Sequence, residues 1–118
     1  MFTEEEVSKG EITDINREYG GGVLYDAEIE TALDMGRGRS ICRKLALIWR
    51  AILVAHPFTD GNKRTCLAVT LLLLKRRGFR LTDENRERIT TAMEAVAEKN
   101  IRDLPKLERM VRYALEGD

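Results

Sequence analysis

At 118 residues, 43% hydrophobic and 34% charged, the chain has the composition of a globular protein, not of a disordered or membrane-embedded one. Its 20 Lys and Arg equal its 20 Asp and Glu, which leaves no overall basic field and argues against nucleic-acid binding, a helix-turn-helix DNA binder included. The longest strongly apolar run, residues 67–74, is interrupted by Thr70 and is far too short to span a bilayer, so no membrane partner is expected.

MFTEEEV is acidic where a secretory segment would be basic and then apolar, so a cytoplasmic protein with one domain over residues 1–118 is expected. Cys42 and Cys66 lack metal-ligand spacing and read as buried, reduced residues, with a disulfide between them the alternative. Helix signals dominate. Residues 4–19 form a weakly amphipathic helix with Val7, Ile12 and Ile15 on one face and Thr3 as its cap, stopped by the glycines at 20–22. Asp26 is placed to cap a short helix carrying Ile29, Ala32, Leu33 and Met35, which GRGRS ends. Ser40 is the expected cap of a helix with Ile41, Leu45, Ile48, Trp49, Ile52 and Leu53 at helical spacing. It closes at His56, because the residue before Pro57 is pushed out of the helical region. A helix over residues 62–77 is apolar nearly all round, which marks the middle of the fold. Lys75, Arg76 and Arg77 form its solvated end and Gly78 its stop. Asp83 is expected to cap a helix with Ile89, Met93 and Val96. A last helix over residues 102–115 carries Leu104, Leu107, Met110, Val111 and Leu115, with Pro105 tolerated in its first turn. The sum is an all-α bundle of about six helices.

Between the two most apolar helices lies HPFTDGNKRT, residues 56–65, which holds the only histidine of the chain. The first N–H groups of the helix opening near Gly61 lack intrahelical partners and carry partial positive charge, a ready site for phosphate. Gly61 lets the backbone approach a ligand closely, and Asn62, Lys63 and Arg64 add an amide, a point charge and a planar fork. Cations in a first turn oppose the helix dipole unless an anion is bound. Asp60 is the loop's carboxylate, a hard oxygen ligand of the kind that holds Mg²⁺ beside phosphates. His56 can accept a proton from an incoming hydroxyl. Phe58 is expected to point inward as the loop's anchor and Thr59 outward. A phosphate cradle, a metal ligand and a general base together suit transfer of a phosphorus-containing group from a nucleotide to a hydroxyl. The spacing is not that of a Walker A loop.

These residues resemble the Fic/Doc family, whose core loop reads HPFxDGNGR in its nucleotidyl-transferring branch and HxFxDANKRTA in its death-on-curing toxin branch. HPFTDGNKRT combines the lysine of the second with the Pro57 and Gly61 of the first. REYGGGVLYDAEIETAL, residues 17–33, is similar to the family's RYGG…GLLESAL segment, and LAVTLLLLKRRGFRL to its LAALLFLELNGYRL helix. The resemblance implies the family's helical fold, His56 as general base, Asp60 as Mg²⁺ ligand and Gly61 in the anion-binding turn. It also implies Asn62, Lys63 and Arg64 on the phosphates of ATP. In the family Lys63 replaces a glycine that leaves room for the nucleotide's α and β phosphates. Members with that lysine resemble kinases that pass the γ-phosphate of ATP to a threonine of elongation factor Tu, and members with glycine transfer AMP.

The chain departs from the family pattern at Leu67, where the nucleotidyl transferases carry a second arginine. The segment between residues 33 and 45 is shorter than the family's target-docking flap. The family's self-inhibitory helix is also incomplete: Ala95 spoils the match that starts at Thr90 and Glu94, and Arg112 stands where the Glu116–Gly117 pair would need a hydroxyl residue. The resemblance thus implies a Doc-like toxin of a toxin–antitoxin pair, acting on translation and restrained by a separate antitoxin. The alternatives are an AMP transferase and a non-catalytic helical module that binds a nucleotide or partner through a vestigial loop.

Overall fold

A computed structural model gives the fold over residues 7–117. These residues form six α-helices and no strand, only an isolated antiparallel bridge between Val23 and Phe58. The all-α expectation holds. The helices are α1 (Lys9–Glu18), α2 (Ala27–Gly36), α3 (Ile41–Trp49), α4 (Asn62–Arg76), α5 (Asp83–Lys99) and α6 (Leu104–Glu116). One hydrophobic cluster draws buried side chains from all six. No helix among the described residues is long and apolar enough to cross a membrane.

Local chemistry sets the helix ends, in places differently from the sequence expectation. Thr3 and the expected start at Glu4 lie outside the described residues. Val7 is not helical, and Ser8 caps α1 through a capping box with Glu11: Ser8 Oγ accepts from the Glu11 N–H at 3.1 Å, and Glu11 Oε1 accepts from the Ser8 N–H at 3.0 Å. Val7 and Ile12, at the two staple positions around that box, are both buried in the main core. Asp26 stands at the cap position of α2 without capping it, because its carboxylate pairs with Lys9 of α1 at 3.2 Å. Ser40 caps α3 as expected, accepting from the Arg43 N–H at 3.2 Å. For α5 the cap is Thr82, boxed with Asn85, and Asp83 is the first helical residue instead. Asp103 caps α6, accepting from the Lys106 N–H at 3.0 Å. Arg76, expected to be merely solvated, grips Glu11 with both terminal nitrogens, at 3.0 and 2.6 Å, and ties α4 to α1.

The helix expected to run unbroken to His56 widens after Trp49 into a π-helical turn, Arg50–Val54, closed by the Ala55 N–H on the Arg50 carbonyl at 3.3 Å. The wider turn buries Ala51, Ile52, Leu53 and Val54 together, although an α-helix presents only part of its circumference to a core. It also sets the direction in which the chain enters the loop. Behind it, α4 has no exposed residue between Thr65 and Leu74, as its composition foretold. Trp49 is fully buried and its indole N–H donates to Thr70 Oγ1 at 3.0 Å, while the Thr70 hydroxyl donates to the Cys66 carbonyl at 2.8 Å. Cys42 and Cys66 are buried and unpaired, and burial pushes both thiols up, which keeps them protonated.

Candidate active site

The loop between the π turn and α4 is held residue by residue. The Ala55 carbonyl accepts from the Tyr25 hydroxyl. The Pro57 carbonyl accepts from the Leu24 N–H at 2.8 Å. Phe58 gives its N–H to Asn62 Oδ1 at 3.2 Å and receives Asn62 Nδ2 on its carbonyl at 3.0 Å. Thr59 donates its N–H to the Gly22 carbonyl at 2.9 Å, and its hydroxyl oxygen accepts from the Gly22 N–H at 3.0 Å. The Asp60 carbonyl takes Asn16 Nδ2 at 2.8 Å. Gly61 donates its N–H to Asp60 Oδ1 at 2.8 Å, and its carbonyl receives the first bond of α4, from Thr65. His56 alone in this stretch makes no hydrogen bond among the described residues. It is exposed and sits in the left-handed region at φ 52°, which takes the chain out of the helical path on a backbone fixed on both sides.

The expected site residues gather at the amino end of α4. Gly61 is its cap at φ 74°, a conformation that glycine adopts without cost. The N–H groups of Asn62, Lys63 and Arg64 precede the first intrahelical bond and remain available to an anion. Asp60 is exposed, with one carboxylate oxygen on the Gly61 N–H. Lys63 and Arg64 are exposed, and the Arg64 guanidinium lies over the Tyr19 ring, 5.3 Å from its centroid. Phe58 is 2% exposed and anchors the loop in the core. Thr59 faces out. Asn62 stands at the right place, but its amide is engaged with Phe58, and it braces the loop from within.

Sequence reasoning placed residues 17–33 in the family resemblance but missed that the strip at residues 16–25 is the loop's partner. Asn16 is 1% exposed and, besides Asp60, donates to Thr65 Oγ1 at 3.0 Å. Gly21 packs so closely that a Cβ there would lie 2.4 Å from Asn16 Oδ1 and 2.5 Å from the Asp60 carbonyl oxygen. The run of glycines was the available signal; it read as a helix stop and as part of the family resemblance, not as a close contact with the loop. The same strip leaves Val23, Leu24 and Tyr25 about half exposed beside His56. By contrast, the short connection between α2 and α3, residues 37–40, lies at the opposite end of α3 from the loop. The backbone that borders the loop is therefore at residues 22–25, not between residues 33 and 45.

The donor set bears on a metal. Among the described residues no group of three or more His, Cys, Asp or Glu side chains could enclose an ion. One exposed carboxylate beside free helix N–H groups instead suits Mg²⁺ bound through Asp60 and completed by phosphate oxygens and water.

A model of the Fic/DOC family matches residues 5–74. The matched stretch includes α1 to α3 and the loop, and nearly all of α4, hence every residue of the site above. No curated protein and no solved structure gives a match to the chain.

Proposed function

The chain belongs to the Fic/DOC family, whose members are usually transferases, and from that premise we propose that it is a death-on-curing-type kinase of protein hydroxyl groups. ATP is the donor, and a serine or threonine of a target protein is the acceptor. The observation that carries this reading is the exposed, unbonded imidazole of His56 on the loop that leads into the free amino end of α4.

In the reaction, the target hydroxyl gives its proton to the His56 ring as its oxygen forms a bond to the γ-phosphorus. The bond from that phosphorus to the β–γ bridging oxygen breaks, and ADP leaves with the electron pair. The helix N–H groups, Lys63 and Arg64 bear the phosphate charge. Mg²⁺ held by Asp60 would neutralise charge on the transferring group. Arg64 leaves Tyr19 to do its part, a modest cost for an exposed cation–π contact. Lys63 favours phosphoryl over AMP transfer because its ammonium and stem would crowd and re-charge the space that AMP transfer requires, and Leu67 lacks the second arginine that the nucleotidyl transferases carry. Val23, Leu24 and Tyr25 supply an apolar rim on which a protein substrate can rest. Such a kinase would act in the cytoplasm as a toxin, on elongation factor Tu or a counterpart in translation. A separate antitoxin would restrain it, since Ala95 and Arg112 break the self-inhibitory pattern.

Incubation of the protein with cytosolic extract and ATP radiolabelled at the γ or at the α phosphorus tests the reading. Label in a protein band from the γ position alone is the expected result. Label from the α position would establish AMP transfer in its place, and no label from either would leave a binding module.

A further inference from the structure

We propose that Asn16 is a positioning residue for the Asp60 carboxylate, an inference that rests on the transferase reading. Asn16 touches none of the exposed site atoms. Its Nδ2 donates to the Asp60 carbonyl at 2.8 Å and to Thr65 Oγ1 at 3.0 Å, so it bridges the two sides of the left-handed Gly61 turn. The peptide unit that carries the Asp60 carbonyl also carries the Gly61 N–H, and because that unit is planar, fixing one fixes the other. The Gly61 N–H in turn donates to Asp60 Oδ1 at 2.8 Å. Asn16 thereby sets the carboxylate through a single rigid plane. The amide is held by its donors alone, for Oδ1 is buried without a partner. Reversing the amide would set Oδ1 against the Asp60 carbonyl, where it has nothing to donate. Gly21 closes the other side, with no room for a Cβ beside either Asn16 or Asp60. A buried donor that orients a ligand through its backbone acts as the outer partners of metal ligands do, and loss of such partners weakens metal affinity by about 10- to 100-fold.

The test uses Asn16→Ala and Asn16→Leu, the second keeping the volume of the buried side chain should the first fail to fold. Amide hydrogen exchange at Gly61 is followed in the free protein. Binding of β,γ-imido-ATP is measured with Mn²⁺, by the paramagnetic signal of the free ion, and without metal in a chelator. The expected result is Gly61 exchange faster by about tenfold or more, with core amides of α3 and α4 unchanged. Affinity for Mn²⁺ with the nucleotide should fall by about 10- to 100-fold while metal-free nucleotide affinity stays as in the wild type. Unchanged Gly61 exchange, or equal loss of affinity with and without metal, overturns the role of Asn16 and leaves the transferase reading standing. Wild-type protein with no affinity for Mn²⁺ and nucleotide overturns the transferase reading itself, and the positioning role falls with it.

Discussion

The side chain of Asn62 closes on both peptide groups of Phe58, accepting from its N–H at 3.2 Å and donating to its carbonyl at 3.0 Å. Asn62 belongs to the first turn of α4 and Phe58 to the core-anchored part of the loop, so this pair fixes the angle at which loop meets helix. Replacing Asn62 with Ala strands two partly buried backbone groups, each of which costs about 1–3 kcal/mol if no water reaches it. The Asn62→Ala protein should unfold at a lower urea midpoint with an unchanged slope. Transfer should drop by about 100-fold, because a misplaced helix end no longer meets the phosphates.

His56 presents the opposite case. It is exposed and makes no hydrogen bond among the described residues, so its side chain contributes little to stability. Its backbone, at φ 52°, favours residues that tolerate the left-handed region. His56→Gly should therefore melt at or slightly above the wild type, and His56→Ala below His56→Gly by about 1 kcal/mol. Both should lose all label transfer. A His56→Ala protein that still labels its target would falsify the general-base role.

The difference between Asn62 and His56 shows how far the sequence could be read. Apolar spacing behind the Ser40 cap located α3, a run apolar nearly all round located α4, and the density of polar residues in HPFTDGNKRT located the loop between them, since all three signals are local. The π turn was invisible: Arg50–Val54 has the same apolar spacing whether the backbone closes on the fourth or the fifth residue back, and only tertiary packing selects the wider form. Asn16 was invisible for another reason. A lone amide in a helix shows no partner 44 residues away, and its importance exists only once α1 has docked on α4. Thr70 is similar, a break in an apolar run whose hydroxyl serves the Trp49 indole. The caps at Ser8 and Thr82 were legible but lost to neighbouring residues of similar propensity, Thr3 and Asp83.

The tie between α1 and α4 carries a pH signature. The Arg76 guanidinium beside Glu11 holds its carboxyl below the ordinary value of 4.5. A carboxyl lowered in the folded protein stabilises it fully above that ordinary value, and the contribution is lost as the pH falls through the depressed one. Glu11 and Arg76 are each more than a third exposed, so the pair is worth less than about 1 kcal/mol after screening. Glu11→Gln should lower the urea midpoint slightly at pH 7. The gap from the wild type should close in acid, once Glu11 is protonated, and should narrow in high salt at neutral pH. A gap that persists at low pH would show that the loss does not come from the charge pair with Arg76, since Gln can keep the capping box with Ser8.

The glycines at 20–22 serve different ends, and alanine separates them. At Gly20 a Cβ meets nothing within 4 Å, but φ is +84°, so Gly20→Ala should cost about 1–2 kcal/mol in backbone strain and leave the loop in place. Gly22 has no unusual φ, and a Cβ there would make only ordinary contact with Thr59 Oγ1 at 4.0 Å, so Gly22→Ala should change stability by less than about 0.5 kcal/mol. Gly21 likewise has no left-handed φ, yet its Cβ would stand 2.4 Å from Asn16 Oδ1 and 2.5 Å from the Asp60 carbonyl oxygen. The second of these is backbone and cannot swing away, so the strip and the loop must part. Overpacking of this kind costs about 1–3 kcal/mol, and here it also breaks the bond from Asn16 to Asp60. Gly21→Ala should therefore be the least stable of the set in thermal melts. It should also be the one variant of these three that speeds Gly61 amide exchange. If Gly20→Ala matches it in both measurements, backbone conformation and not close approach governs this strip.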